Sequence, residues 1–233
     1  MNNLDKIFNS VGDRSLFKNK QVLQANYSPE TIPHRDKEIE YIASILAPSL
    51  LGQKISNLFI YGKTGTGKTL SVQHVANELT RRSKDSKILR IEYINCKLKK
   101  VADTEYRIFA ELIKKIGGDV PKTGLPTDEV YRKFIDLLEK NPEKLFIITL
   151  DEIDQAVKKI SGDFLYNLMR LNSELGKTQI SIIGISNDAK FLEMIDPRVK
   201  SSLSEEEIVF PPYNALQLQD ILRRRSEEAF KSG

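Results

Sequence analysis

Eight consecutive residues, Gly62-Lys63-Thr64-Gly65-Thr66-Gly67-Lys68-Thr69, combine the side chains and the backbone freedom that hold a polyphosphate. Glycine lets the chain curl with φ > 0 and brings backbone N–H groups close to an anion. A lysine and a hydroxyl at the end of the pattern supply a point charge for the β and γ phosphates and an oxygen ligand for Mg²⁺. The flanks agree: Leu58-Phe59-Ile60-Tyr61 is a short apolar run, and Leu70 to Ala76 follows a helical pattern. Strand, glycine loop and helix place the N-H groups of a first helical turn against the phosphates, where the helix dipole favours negative charge. The pattern predicts a nucleoside triphosphate site with Lys68 and Thr69 at its centre.

Three further groups can serve that site. Phe146 to Leu150 is apolar and ends in Asp151-Glu152, which puts two carboxylates at the C-terminal edge of a sheet, where α/β proteins bind ligands. Asp151 can hold Mg²⁺ and Glu152 can polarise the water that attacks a γ-phosphate. A strand over Ile180 to Ile185 ends in Ser186-Asn187-Asp188; taken alone this is a turn or cap, but beside an acidic strand Asn187 can orient that water. Arg198, in Asp196 to Leu203, reads equally as a solvated charge at a helix start or as an arginine finger entering a neighbouring subunit.

The elements that must position these groups alternate. Asp36 to Leu51 reads as a helix, Lys68 to Arg82 as a second, Lys87 to Asn95 as a strand, and Asp103 to Ile116 as a helix stopped by Gly117-Gly118. A helix follows with Thr127 as its N-cap and Val130, Phe134, Leu137 and Leu138 on its apolar side, then a strand over Leu145 to Leu150. A helix over Gly162 to Leu175, a strand over Gln179 to Ile185, a boundary at Pro211-Pro212-Tyr213 and a helix over Ala215 to Phe230 complete the pattern. Such alternation predicts a three-layer α/β/α domain around a parallel sheet.

Composition sets the bounds. The chain has 233 residues, 40% hydrophobic and 29% charged, enough for one large α/β domain with a sizeable core. A net charge of +4 permits nucleic-acid binding without arguing for it. The single cysteine, Cys96, excludes an internal disulfide and suits a reducing compartment. The N-terminus lacks the apolar core of a signal peptide, and no run approaches the roughly 18 apolar residues that span a bilayer; a cytoplasmic protein without a membrane partner is expected.

With Gly62–Thr69, Asp151-Glu152, Asn187 and Arg198 in place, the chain resembles an AAA+ ATPase of the P-loop NTPase fold. Further residues narrow the likeness: Tyr27-Ser28-Pro29-Glu30, Ile32-Pro33-His34-Arg35-Asp36, Asn57 to Thr69, Arg198 to Leu203, and Glu207 to Tyr213. Together they are similar to the archaeal replication initiators related to origin recognition complex subunit 1 and cell division control protein 6. The resemblance implies an N-terminal arm over 1–26, an AAA+ domain over 27–212, and the start of a helical lid over 213–233, with the winged-helix domain of that family lying beyond the chain. It implies ATP/ADP with Mg²⁺ as cofactors, an adenine pocket lined by Tyr27, Pro29 and Arg35, and a nucleotide contact from Tyr213. It implies an insertion over 96–116 that meets double-stranded origin DNA through Lys97, Lys99, Lys100, Thr104, Tyr106 and Arg107. Oligomers with initiator paralogues and a replicative helicase are the other implied partners. Many relatives carry the finger arginine where this chain has Ser202, which leaves Arg198 as the substitute. The alternative is a regulatory or DNA-binding module that holds nucleotide without turnover.

Overall fold

The computed structural model describes residues 15–24, 27, 29, 31–83, 88–98, 102–121, 123–160, 163–193, 195–203 and 205–231. Lys99 and Lys100, Ser28 and Glu30, Lys87, Gly162 and most of the expected arm lie outside the described residues. The chain divides into two compact units, Arg35–Pro212 and Met1–His34 with Tyr213–Gly233.

The larger unit carries five strands: β1 (Leu58–Tyr61), β2 (Leu89–Asn95), β3 (Leu145–Asp151), β4 (Gln179–Ser186) and β5 (Glu206–Val209). All pairings are parallel, in the order β2-β3-β4-β1-β5. Its helices are α1 (Asp36–Leu46), α2 (Lys68–Arg82), α3 (Glu105–Lys115), α4 (Thr127–Lys140), α5 (Ile153–Ile160), α6 (Asp163–Glu174) and α7 (Pro197–Leu203). Every residue of β3 is buried, as its continuous apolar run requires of a central strand covered on both faces. Alternate β3 residues feed two cores. Phe146, Ile148 and Leu150 join Phe109, Phe134 and Phe164 on the face covered by α3 to α6. Leu145 and Ile147 join Ile42, Leu46, Val72 and Val75 on the face covered by α1 and α2. The expected three-layer α/β/α domain is present.

Local differences have local causes. The helix expected over Asp36 to Leu51 stops at Leu46 and continues as a 3₁₀ turn, Ala47–Leu51, because Pro48 has no N–H to continue the α-helical hydrogen-bond ladder. Thr127 is the first helical residue of α4, not its cap; Pro126 holds that position and no side chain caps the helix. The helix expected from Asp103 begins after Thr104, whose hydroxyl accepts the Arg107 N–H at 3.3 Å. Two elements, α5 and β5, were not expected.

The smaller unit is built on α8 (Ala215–Ala229), opened by a capping box between Asn214 and Gln217. The preceding segment lies along it. Phe17 bridges Phe230 antiparallel with their rings 5.1 Å apart, and Arg225 donates to the Val22 and Gln24 carbonyls at 2.7 and 2.9 Å. Tyr27 donates to Glu228 at 2.8 Å, and His34 meets Asp220 at 2.9 Å.

Candidate active site

The loop between β1 and α2 is shaped by what glycine alone permits. A Cβ on Gly62 would stand 2.4 Å from the Phe210 carbonyl oxygen, so only glycine lets the loop leave β1 this close to the end of β5. Gly65 has φ +82 with open space around it; its requirement is conformational, and it turns the crest of the loop. Beneath the loop, Arg35 is buried, donates through Nε to the Thr66 carbonyl at 2.8 Å and through a terminal nitrogen to the Pro211 carbonyl, and pairs with Glu38 at 2.8 Å. Arg35 therefore braces the loop backbone.

Lys68 opens α2 and is only 5% exposed. Its ammonium donates to the Gly62 carbonyl at 2.8 Å, the Lys63 carbonyl at 2.9 Å and Asn187 Oδ1 at 2.8 Å. Burial lowers its pKa, and the carboxylates of Asp151, Asp154 and Glu152 oppose that shift. A buried ammonium held by neutral acceptors is poised to gain from an anion.

One residue further along α2, the Thr69 hydroxyl donates to Asp151 Oδ2 at 2.9 Å. The same oxygen accepts the Tyr93 hydroxyl from β2, while Asp151 Oδ1 accepts the Glu152 N–H at 2.9 Å. Burial, then the Asp151 carboxylate, drives the Tyr93 phenol well above its usual range, so it stays a donor. Burial pushes the nearby Cys96 thiol up to about 12, which favours the neutral thiol. Glu152 stands at φ +52, a left-handed conformation unusual for a non-glycine residue. Its carboxylate lies 3.4 Å from Lys97 Nζ.

The turn after β4 is held by Asp154, a carboxylate only 1% exposed on α5. Its Oδ1 accepts the Ser186 hydroxyl at 3.1 Å and the Asn187 N–H at 3.3 Å, and so fixes the turn from which Asn187 reaches Lys68. Removing the acceptor leaves the half-buried Asn187 N–H unpaired, whereas the Ser186 hydroxyl still has the Asp188 carbonyl at 2.8 Å. Asp154→Ala is expected to lower unfolding free energy by about 1–3 kcal/mol and to slow phosphate release, while Asp154→Asn, which keeps an oxygen there, loses less of both. Urea melts and a phosphate-release assay check the pair of variants.

The sites proposed from sequence thus divide. Gly62–Thr69, Asp151, Glu152 and Asn187 converge at the C-terminal edge of β1, β3 and β4. Arg198 does not join them: its guanidinium grips Asp196 at 3.1 and 2.8 Å and lies over the Tyr166 ring, holding the Asp196 carboxyl down to about 2. Tyr27, Pro29 and Tyr213 belong to the smaller unit. Of the described residues assigned to DNA, Lys97 pairs with Glu152, Thr104 caps α3, Tyr106 donates to the Pro121 carbonyl, and Arg107 pairs with Asp103 at 3.1 Å. The apolar face of α3, Ile108, Phe109, Leu112 and Ile113, belongs to the main core. Tyr93 and Asp154 were missed. Asp154 follows the acidic pair at a two-residue step, which was a legible cue; Tyr93 carried no signal beyond strand propensity.

The donor set suits magnesium. Thr69 Oγ1 and the Asp151 carboxylate are hard oxygens within hydrogen-bond distance of each other, and among the described residues no cluster of three or more His, Cys, Asp or Glu could enclose a metal. A cation here would need ligands from phosphate oxygens and water, which is how Mg²⁺ accompanies a nucleotide.

A phosphate loop after the fourth-placed strand of a parallel sheet, facing an acidic strand end two positions away, defines a P-loop nucleoside triphosphatase fold, and such a fold binds nucleotide. Residues 31–183 match the AAA ATPase domain, and the chain belongs to that family. The chain is similar to archaeal ORC1-type DNA replication proteins. It is 50% identical to the ORC1-type DNA replication protein of Pyrococcus abyssi, over 99% of this chain and 55% of that protein. It is also 50% identical to ORC1-type DNA replication protein 1 of Archaeoglobus fulgidus, over 100% of this chain and 55% of that protein. The solved structure of the Aeropyrum pernix ORC1 protein in complex with DNA superimposes with a TM-score of 0.84 at 42% identity, over 93% of this chain and 55% of that one. The chain spans about half the length of the relatives it matches. Among the described residues no helix is long and apolar enough to cross a membrane.

Proposed function

We propose that this chain is the nucleotide-handling part of a replication initiator: it binds ATP with Mg²⁺, hydrolyses it slowly, and engages double-stranded origin DNA in a manner switched between ATP and ADP. The observation that carries the reading is the convergence of Lys68 with Asn187 and of Thr69 with Asp151 at one edge of the sheet, in a chain half identical to ORC1-type replication proteins. Lys68 binds the β and γ phosphates, Asn187 and Glu152 position and polarise the attacking water, and Thr69 and Asp151 hold the cation. Magnesium, when bound, supplies neutralisation of phosphate charge. Initiator paralogues and a replicative helicase are the protein partners this role implies, in the cytoplasm.

Lys97 and Arg107 are exposed or half-exposed cations suited to DNA phosphates, which position a protein without reading sequence. Titrating an origin duplex and an unrelated duplex at several salt concentrations, with ATP or ADP, tests the reading. Tighter binding of the origin duplex, dependent on which nucleotide is present, is expected; equal affinity for both duplexes in both states would overturn it. Lys97→Ala with Arg107→Ala is expected to weaken both duplexes alike and to flatten the salt slope by roughly 1 per lost contact.

A second reading, a module that holds nucleotide without turnover, draws on one observation: the candidate finger, Arg198, is clasped by its own Asp196. Multiple-turnover phosphate release excludes that reading; one retained ADP per chain without turnover favours it.

A further inference from the structure

Asp151 is the carboxylate on which the cation side of the site depends, and its orientation is set by three donors. Thr69 and the Glu152 N–H take one contact each; both belong to segments already assigned to the site. The third donor is the hydroxyl of Tyr93, from the neighbouring strand. In the parallel register of β2 and β3, Asn95 stands opposite Asp151 and Tyr93 opposite Thr149. Tyr93 therefore lies one two-residue step short of the carboxylate, a distance of about 6.6 Å along the strand. A phenol spans that step. A serine or threonine at this position would not, and a phenylalanine would fill the same space without the donor.

The side chain is half-buried on a strand at the edge of the sheet, so packing alone does not require a hydroxyl. Water could satisfy it, yet it is directed to the same oxygen that Thr69 contacts. Two hydroxyls, one on β2 and one on α2, thus hold a single carboxylate oxygen.

We propose that Tyr93 is a positioning residue of this site: its hydroxyl holds the Asp151 carboxylate facing Thr69 and so sets the affinity for the divalent cation that accompanies the nucleotide. The inference rests on the nucleotide reading above. Losing one hydrogen bond to a charged acceptor is expected to raise the magnesium concentration for half-maximal effect roughly tenfold.

The test is a titration of magnesium chloride into the full chain with a fluorescent ATP analogue, comparing wild type, Tyr93→Phe and Tyr93→Leu, each also measured in EDTA. Tyr93→Phe is expected to bind the analogue normally in EDTA, to melt within a few degrees of wild type, and to need about ten times more magnesium. Tyr93→Leu, which removes the ring, is expected to lose stability as well. In an Asp151→Asn background the Tyr93→Phe effect should vanish, since the hydroxyl acts through that carboxylate. An unchanged magnesium midpoint in Tyr93→Phe, or a shift that persists undiminished in Asp151→Asn, overturns the proposal. So does a Tyr93→Phe protein as unstable as Tyr93→Leu, because Tyr93 is then a packing residue. If the wild type does not bind the analogue at all, the nucleotide reading fails first; a wild type that binds and responds to magnesium beside a Tyr93→Phe that responds identically defeats Tyr93 alone.

Discussion

Lys68→Ala is expected to weaken nucleotide binding by at least about thirty-fold while the chain keeps its fold. Lys68 is almost fully buried, with its ammonium on two loop carbonyls and Asn187. Burial disfavours its charge, so the protonated amine gains more from an incoming triphosphate than an exposed lysine would, because screening by water is weak there. Truncating one partner of a desolvated, hydrogen-bonded charge pair costs about 2–5 kcal/mol, a loss of roughly thirty-fold to several thousand-fold in affinity. The same change leaves the Gly62 and Lys63 carbonyls and the Asn187 amide without their donor, which loosens the loop that must meet the phosphates. Titration with a fluorescent ADP analogue, with circular dichroism as the fold control, measures the loss. Wild-type affinity in a folded Lys68→Ala protein would move the nucleotide site away from Gly62–Thr69.

How much of this was readable from residues alone differs between elements, for physical reasons. The apolar run of β3 needed no context, because a strand buried on both faces must be apolar throughout. The phosphate loop was legible because its requirements are local: glycine conformations, one lysine and one hydroxyl. β5 was not, since Glu206-Glu207-Ile208-Val209 is short, acidic and half-exposed at a sheet edge, where side chains need not be apolar. α5 left a signal that went unread: Ile153, Ala156, Val157 and Ile160 recur at helical spacing immediately after the acidic pair. The Tyr93–Asp151 contact depends on β2 lying beside β3 with one register, a sheet-level fact that no window of sequence contains. Arg198 shows the converse. Its type and position suited a finger, but Asp196, two residues earlier, accepts a paired hydrogen bond from it, and only coordinates reveal which neighbour a long exposed side chain chooses.

Glu152→Gln separates holding from turnover: the variant is expected to bind ATP as wild type does and to hydrolyse it 10²- to 10⁴-fold more slowly, the range a positioned general base contributes. The backbone argues that the side chain is placed for a purpose. Glu152 holds φ +52, which costs a residue with a Cβ on the order of 1–2 kcal/mol. Its N–H is fixed by Asp151 Oδ1 and its carbonyl accepts the Gln155 N–H at 2.9 Å. The strained residue is thus over-determined by β3 behind it and α5 ahead of it, and its carboxylate is carried beyond the buried strand to the sheet edge. Glutamine keeps the shape and both backbone bonds but cannot accept a proton. It also gives up the ion pair with Lys97, a loss of little consequence because Lys97 is 69% exposed and such pairs contribute about 0–1 kcal/mol. Stability and ATP affinity should therefore stay near wild type while single-turnover phosphate release falls. Glu152→Asp is the discriminating companion: it keeps a base but shortens its reach, and should recover part of the rate if proton acceptance is the role. Unchanged turnover in Glu152→Gln would remove this carboxylate from the chemistry and leave Asn187 and Asp151 to orient the water without a base.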